Sequence, residues 1–269
     1  MHISRLPKPA LLIVGLFLAT SMLAPLPYVV LEPGGGQNVL GSVIQISDHK
    51  TYPATGKLLL TTVLVTSPGS PLFGIEVLFS WMRGYSIVLP RDVIYPPGQS
   101  SKEIDKASLA DMVDSQQSAE AAALRYLKFP VTKESVTKRD GTKTTRYRLP
   151  FPIAITLKDT GGPSGGLVFA LGIIEKLTPQ DLLKGRVVAG TGTITEAGQV
   201  GAIGGVNDKI IAAKKAGATV FLLPADNCVD VTHVPAGMTA YSVKTLSEAV
   251  GVLEDSKNAV PHCTWQRNR

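Results

Sequence analysis

The feature that most constrains the fold of this chain is a glycine-rich turn at residues 161–166, which leads directly into an apolar periodic segment. Its glycines and its proline cannot continue a regular helix or strand, so the chain must turn sharply there. The apolar residues that follow recur at the spacing of one helix face: Leu167, Ala170, Leu171, Ile174 and Leu177. The pattern predicts a helix over residues 164–177 with Ser164 in its first turn.

A serine in this position has the surroundings that acyl transfer requires. The first N–H groups of a helix lack intrahelical partners and carry the positive end of its dipole, which stabilises negative charge on a carbonyl oxygen. Pro163 ends regular structure before the serine, and Gly162 and Gly165 let a substrate backbone approach closely. The alternative is that Ser164 only caps the helix.

Lys209 lies in a second glycine-led segment, 204–209. On a helix over residues 207–216, the small residues three, four and seven positions later share its face, so Lys209 is expected to lie along the packed side, and Asp208, Lys214 and Lys215 on the other. Burial lowers a lysine pKa from about 10.4, which a general base requires. The alternative is a lysine that extends to solvent from a helix edge.

The two segments and the chain between them, residues 186–195 and 199–205, together resemble the proteolytic domain of the Lon protease family. In that family a Gly-Pro-Ser-Ala-Gly segment carries the nucleophile, a Thr-Gly-(Glu or Thr)-Ile strand follows, and a Gly-Gly-x-x-x-Lys segment supplies the base. The order and spacing match. The resemblance extends upstream through residues 56–63 and 115–127, and downstream through 218–225.

The resemblance implies that Ser164 is the nucleophile, Lys209 the general base, and Thr191 a hydroxyl that holds the lysine in position. Thr191 could equally be an ordinary strand threonine. The sequence departs from the ATP-dependent members at two positions, with Gly161 in place of aspartate and Gly165 in place of alanine. The first change removes a charged partner, and the second adds backbone freedom beside the nucleophile.

The fold class implied is α/β, the Lon proteolytic-domain fold, with helices packed on a mixed β-sheet. Strands are predicted at 57–65, 151–157, 186–194, 199–201, 219–223 and 239–243. Helices are predicted at 115–127, 164–177, 207–216 and 245–252. No Gly-x-x-x-x-Gly-Lys-(Ser or Thr) loop occurs in the sequence, so no nucleotide cofactor is expected, and the Ser/Lys chemistry needs no metal.

The N-terminal region predicts a membrane anchor. Residues 10–31 contain no charge, which meets the requirement of about 20 apolar residues for crossing a bilayer. Basic residues precede this segment and none follows until Lys50, so residues 1–9 are expected in the cytoplasm and the body outside it. The alternative is a cleaved signal peptide, although the residues before Pro25 lack the usual small-x-small pattern.

This organisation resembles the membrane-anchored, ATP-independent Lon-like peptidases of bacteria, which carry an inserted PDZ domain. Here the interval between the predicted helix that ends at residue 127 and the predicted strand that begins at residue 151 is too short for a PDZ domain. Residues 131–150 are therefore expected to form a basic hairpin in its place. The protease domain would then comprise an N-terminal part, 32–130, and a catalytic part, 151–256, followed by a tail, 257–269.

Cys228 and Cys263 are candidates for a disulfide, because the expected compartment permits one. His233 and His262 lie near them in sequence, but the spacing is not a familiar zinc pattern, and no metal is expected. The formal charge of +6 is modest, and the basic stretch 133–148 has only Tyr147 as an aromatic, so a solvated hairpin or a contact with an anionic surface is expected and no nucleic-acid partner.

These observations predict a membrane-tethered serine endopeptidase that cleaves extracytoplasmic peptides or proteins. A homo-oligomeric ring is expected because Lon-type domains tend to form rings. Two alternatives are a catalytically weak or inactive scaffold that binds peptides or a membrane partner, and an amidase or esterase of small molecules.

Overall fold

The structure is a computed structural model that describes residues 7–83, 86–137, 143–157, 160–255 and 261–263. The chain divides into two compact units. The smaller unit comprises Met1–Glu32 and Leu64–Ile104, and the larger comprises Pro33–Val63 and Asp105–Arg269. Most of the predicted tail, 257–269, and of the segment expected in the cytoplasm, 1–9, lies outside the described residues.

The structure combines helices and strands, in agreement with the α/β prediction. The helices are α1 (Lys8–Leu23), α2 (Gly74–Met82), α3 (Arg91–Ile94), α4 (Ser101–Tyr126), α5 (Gly166–Leu177), α6 (Val206–Lys215) and α7 (Leu246–Glu254), with a 3₁₀ helix at Ala225–Asp230. The strands are β1 (Pro25–Leu26), β2 (Tyr28–Asn38), β3 (Ile44–Ile46), β4 (Lys57–Val65), β5 (Leu72–Phe73), β6 (Ile87–Pro90), β7 (Thr132–Thr137), β8 (Lys143–Arg148), β9 (Ile153–Ile155), β10 (Val187–Gly190), β11 (Thr193–Ile194), β12 (Val200–Gly201), β13 (Val220–Pro224) and β14 (Thr239–Val243).

The centre of the larger unit is a run of parallel strands in the order β14-β13-β10-β4. Every residue of β13 is buried, as expected for a parallel strand covered on both faces. Successive side chains of a strand point to opposite faces. On β4, Leu58 and Leu60 join the core that contains α5 and α7, whereas Leu59 joins the core that contains α6. The sheet therefore separates the two helices that follow the glycine-rich segments.

Several predicted elements have different bounds in the structure, among them α4, the strand predicted at 186–194, and β9, which is shorter than the strand predicted at 151–157. Helix α4 begins at Ser101 instead of residue 115, because Ser100 and Glu103 form a reciprocal cap: the Ser100 N–H donates to Glu103 Oε2 at 2.8 Å and the Glu103 N–H to Ser100 Oγ at 3.4 Å. The strand predicted at 186–194 is broken after Gly190, and Gly192 has a φ of 153°, which favours glycine. The chain resumes in β11, which pairs antiparallel with β12.

The segment 131–150 contains the antiparallel hairpin of β7 and β8, which pair from Thr132 with Arg148 to Thr137 with Lys143. Its turn, 138–142, lies outside the described residues. Near the C-terminus, Cys228 of the 3₁₀ helix and Cys263 form a disulfide, with their Cα atoms 5.4 Å apart.

In the smaller unit, the apolar N-terminal helix ends earlier than the anchor predicted at residues 10–31. Helix α1 ends at Leu23, and residues 28–31 belong to β2, which pairs antiparallel with β6. Pro25 and Pro27 lack the N–H that a continuing helix needs, and the β-branched pair Val29 and Val30 favours a strand. Within the described ranges, no helix combines the length and the apolar character that crossing a membrane requires.

Candidate active site

Ser164 lies in the turn immediately before α5, because that helix begins at Gly166, two residues later than predicted. The serine is half-buried. Both peptide groups that flank its Cα are held through their carbonyl oxygens. Pro163 O accepts a hydrogen bond from Ser115 Oγ at 2.8 Å. Ser164 O accepts one from the Gly192 N–H at 2.9 Å and one from Thr191 Oγ1 at 3.2 Å.

These bonds determine where the amide groups around Ser164 point. In a trans peptide the N–H points opposite to the C=O. The N–H groups of Ser164 and Gly165 are therefore directed away from the atoms that hold the carbonyls, and within the described part of the chain neither has a hydrogen-bond acceptor. Two free amides beside a serine hydroxyl are the donors that an oxyanion hole uses.

The glycines of this turn differ in how closely other side chains approach them. A Cβ on Gly165 would lie 2.7 Å from Phe169 Cε2 and 3.1 Å from Leu60 Cδ1, both buried side chains. A Cβ on Gly161 would overlap the Ser108 side chain. The structure thus explains the glycine at 165, where a side chain would overlap buried neighbours, whereas at exposed Gly161 a Cβ would require the Ser108 hydroxyl to move. Gly162 has a φ of 84°, and its N–H donates to Ser108 O at 2.9 Å.

Lys209 lies in the first turn of α6 and is buried, with 4% of its surface exposed. Its Nζ donates a hydrogen bond to Thr191 Oγ1 at 3.2 Å. Burial lowers the pKa of Lys209 to about 8, opposed by the nearby charge of Asp208. The packed face predicted from the alanine spacing is confirmed for Ala212 and Ala213, which are also buried, but is wrong for Ala216, which is exposed because α6 ends one residue earlier, at Lys215.

The placement of Asp208 on the solvent side was wrong. Its side chain is 1% exposed, and in the described residues its Oδ2 has no hydrogen-bond partner. Burial raises its pKa to about 6, and the charge of Lys209 opposes that rise. Helix α6 contacts both β13 and the 3₁₀ helix, so the covered arc is wider than the alanine stripe alone indicated. Lys215 is exposed, as expected.

Thr191 is fully buried immediately after β10 and connects the two glycine-led segments. Its hydroxyl accepts from Lys209 Nζ and donates to the carbonyl of Ser164. The structure therefore brings Lys209, Thr191 and the Ser164 backbone together. It does not place a direct hydrogen bond between Ser164 Oγ and Lys209 Nζ in the described residues.

Sequence reasoning missed the residues that support this arrangement from outside the two segments. Ser108 and Ser115 are seven residues apart on α4, so they share one face, and both contact the turn that carries Ser164. Asn227 is buried and holds the chain before α6: its Oδ1 accepts from the Ile203 N–H at 2.8 Å and its Nδ2 donates to Ile203 O at 2.9 Å. The helical spacing of Ser108 and Ser115 could have indicated that they share a face, whereas no local sequence pattern indicated the role of Asn227.

The disulfide involves the residue next to Asn227. Cys228 and Cys263 are both bonded, which removes them as thiolate ligands for zinc. Among the residues that the structure describes, no group of three or more His, Cys, Asp or Glu side chains is arranged to hold a metal ion.

The sequence of the chain is similar to those of known proteins. The family model described as the Lon protease (S16) C-terminal proteolytic domain matches residues 93–255. The Lon protease of Fusobacterium nucleatum subsp. nucleatum is 36% identical over 205 residues, which cover 76% of this chain and 24% of that protein. Lon protease 2 of Desulfotalea psychrophila is 31% identical over 184 residues, which cover 68% of this chain and 23% of that protein.

A mitochondrial Lon protease homolog of Mus musculus is 26% identical over 201 residues, which cover 73% of this chain and 20% of that protein. The chain thus spans about a quarter or less of the length of these relatives. The family model, however, covers more than half of the present chain, including both glycine-led segments. The chain therefore belongs to the Lon protease (S16) family, whose members are serine peptidases, through its C-terminal proteolytic domain.

Proposed function

We propose that this protein is an ATP-independent serine endopeptidase in which Ser164 is the nucleophile and Lys209 the general base. The observation that carries the proposal is the buried Lys209 ammonium, joined through the Thr191 hydroxyl to the peptide unit of Ser164. A lysine can accept a proton near neutral pH only when its surroundings disfavour the charged form. With a pKa of about 8, roughly a tenth of the lysine is neutral at pH 7.

In the proposed reaction, neutral Lys209 removes the proton from Ser164 Oγ as the oxygen attacks the carbonyl carbon of the peptide. The carbonyl electron pair moves to oxygen, where the Ser164 and Gly165 N–H groups stabilise the negative charge. Collapse of this intermediate breaks the C–N bond, and Lys209 gives its proton to the leaving amine. Water, deprotonated by Lys209, then attacks the acyl carbon; the ester C–O bond breaks, the carboxylic acid leaves, and Lys209 returns its proton to Ser164 Oγ.

Thr191 would hold the lysine in this cycle. Its oxygen accepts from Lys209 Nζ, and its own proton is committed to the carbonyl of Ser164. The hydroxyl therefore cannot donate to the lysine, and it leaves the nitrogen lone pair of the neutral amine free to accept the proton of Ser164. The reaction needs no metal and no nucleotide.

The substrates are proposed to be peptides or proteins, since the relatives are Lon proteases. Attachment to a membrane through α1 is part of the proposal. No residue of α1 is buried, and Leu12 and Phe17 are each more than 70% exposed. A helix that is apolar on all sides is typical of a lipid environment. The Cys228–Cys263 disulfide supports a catalytic domain outside the reducing cytoplasm.

Two further expectations belong to this proposal, beside the membrane attachment. The hairpin of β7 and β8 would stand where the bacterial membrane-anchored relatives carry a PDZ domain. The protein would assemble as a homo-oligomeric ring, which light scattering of the full-length protein in detergent would detect. Flotation of the full-length protein with liposomes, and its loss on deletion of residues 2–23, would test the attachment.

A non-cleaving scaffold is the second candidate. The observation that favours it is the lack, in the described residues, of a direct hydrogen bond between Ser164 Oγ and Lys209 Nζ. Such a protein would bind peptides in the same cleft, and Ser164→Ala would leave its binding and its cellular role unchanged.

The deciding experiment incubates the full-length protein in detergent with a complex peptide mixture, beside the Ser164→Ala variant, and identifies new peptide termini by mass spectrometry. The proposal predicts termini that appear with the wild type and are absent with the variant. Identical profiles from folded wild type and variant, between pH 7 and pH 9.5, would favour the scaffold.

A further inference from the structure

Ser115 lies on α4, in the larger unit, and contacts the peptide that precedes the nucleophile. It is 6% exposed, and its Oγ donates to Pro163 O at 2.8 Å. The carbonyl oxygen of Pro163 belongs to the same peptide unit as the N–H of Ser164. A hydrogen bond that fixes the carbonyl of Pro163 therefore also orients the N–H of Ser164.

The two peptide units beside Ser164 are held unequally. Ser164 O has two donors, the Gly192 N–H at 2.9 Å and Thr191 Oγ1 at 3.2 Å. Pro163 O has the Ser115 hydroxyl at 2.8 Å and otherwise only the Gly166 N–H at 3.4 Å in the described part of the chain. The orientation of the Ser164 N–H thus depends mainly on one side chain, whereas that of the Gly165 N–H does not.

The remaining support from α4 comes from Ser108. Ser108 O accepts from the Gly162 N–H at 2.9 Å, and the Ser108 side chain fills the space beside Gly161. These contacts place the glycine turn against the helix but leave the Pro163–Ser164 peptide free to rotate. Losing the Ser115 hydroxyl would leave Pro163 O with a long hydrogen bond, which favours rotation of this peptide toward another donor.

We propose that Ser115 is a positioning residue that keeps the Pro163–Ser164 peptide turned so that the Ser164 N–H faces the oxyanion. This inference rests on the proposed function, because an oxyanion forms only if Ser164 attacks a carbonyl. Ser115 does not touch the reacting atoms. Its effect is transmitted through one peptide plane.

The role predicts a specific kinetic signature. Interactions that exist only in the transition state change kcat and leave KM unchanged. Ser115→Ala should lower kcat about 10- to 100-fold, less than outright loss of an oxyanion donor, with KM within about twofold. Inhibition by a peptide boronate, whose tetrahedral adduct places an oxygen at the oxyanion position, should weaken by the same factor. The midpoint of the pH–rate profile should stay in place, because Lys209 does not contact Ser115.

The experiment uses the full-length protein and three variants. Ser115→Ala removes the donor. Ser115→Thr retains it, and a cavity of about 180 Å³ next to Ser115 gives room for the added methyl group. Ser118→Ala is the matched control, because Ser118 lies on the same helix and lines the same cavity, whereas it is Ser115 whose hydroxyl donates to Pro163 O. Thermal unfolding of each variant shows which are folded at the assay temperature.

The proposal expects near wild-type kcat for Ser115→Thr and Ser118→Ala, and a parallel loss of kcat and boronate affinity for Ser115→Ala. A folded Ser115→Ala with kcat and boronate affinity within about twofold of the wild type would overturn it and leave the proposed function intact. So would a folded Ser115→Thr that is as slow as Ser115→Ala. Cleavage that is the same in the wild type and in Ser164→Ala would overturn the proposed function, and the inference with it.

Discussion

The turn that carries Ser164 and the helix that carries Lys209 are prepared for their proposed roles by different means. Ser164 is half-buried, and its surroundings are organised by hydrogen bonds to backbone carbonyls. Lys209 is 4% exposed, and its surroundings change the chemistry of its own side chain by lowering its pKa. One segment is organised by backbone geometry and the other by desolvation.

The difference follows from what each group must do. The serine must meet a substrate, so it cannot be fully buried, and only the peptide groups around it can be fixed in advance. The lysine must lose its proton near neutral pH, which burial favours. Substitutions in the two segments should therefore fail in different ways, the first through geometry and packing, the second through protonation.

The largest effect is expected for Lys209→Arg, which should lower kcat/KM at least about 1,000-fold because a guanidinium cannot act as a base. Steady-state kinetics on a peptide identified in the mass-spectrometric screen would measure it. Lys215→Arg is the matched control, since Lys215 is exposed on the same helix. Substantial cleavage by folded Lys209→Arg would remove the lysine from the mechanism.

Thr191→Val should have the next largest effect, lowering kcat about 10- to 100-fold. The substitution keeps the shape of the side chain but removes both the acceptor for Lys209 Nζ and a donor to Ser164 O. Thr191→Ser keeps the hydroxyl and should retain most of the activity. If valine and serine variants were equally active, the hydroxyl would have no part in holding the lysine.

The dependence of kcat/KM on pH should distinguish the role of Lys209 from that of the residues around Ser164. Because the neutral amine is the reactive form, kcat/KM should rise about tenfold per pH unit below the pKa of Lys209, about 8, and level off above it. The profile should keep its midpoint in Ser115→Ala. A rate independent of pH between about 6 and 9 would contradict a lysine base.

Gly165→Ala should have the smallest effect on chemistry and act mainly on stability. The added Cβ would meet the Phe169 ring at 2.7 Å, so overpacking should reduce the free energy of unfolding by about 1 to 3 kcal/mol. Phe169→Leu in the same chain should recover part of this loss, which thermal or urea unfolding would measure. Gly251→Ala, in helix α7 with nothing within 4 Å of its Cβ, is the control and should stabilise slightly.

Much of the larger unit could be predicted because its signals are local. The spacing of apolar residues placed α5 to within two residues, and β4 and β14 have the predicted bounds. The start of α4 could have been predicted as well, since Ser100 and Glu103 carry the pattern of a capping box.

The rest depended on contacts between distant parts of the chain. Ser115 reaches Pro163 across 48 positions, and Asn227 reaches Ile203 across 24. No local pattern marks such pairs. Asp208 was misplaced for a related reason: helical spacing identifies a covered side but not its width, which depends on which neighbours pack against the helix.

The central claim is that Lys209 activates Ser164, and the most direct test is the rate at which a fluorophosphonate modifies the full-length protein. In this reaction Ser164 Oγ would attack phosphorus and displace fluoride, and mass spectrometry would locate the adduct. The account predicts one adduct, on Ser164, forming faster as the pH rises through about 8, and far more slowly in Lys209→Met. An adduct on another residue, or an unchanged rate in Lys209→Met, would contradict it.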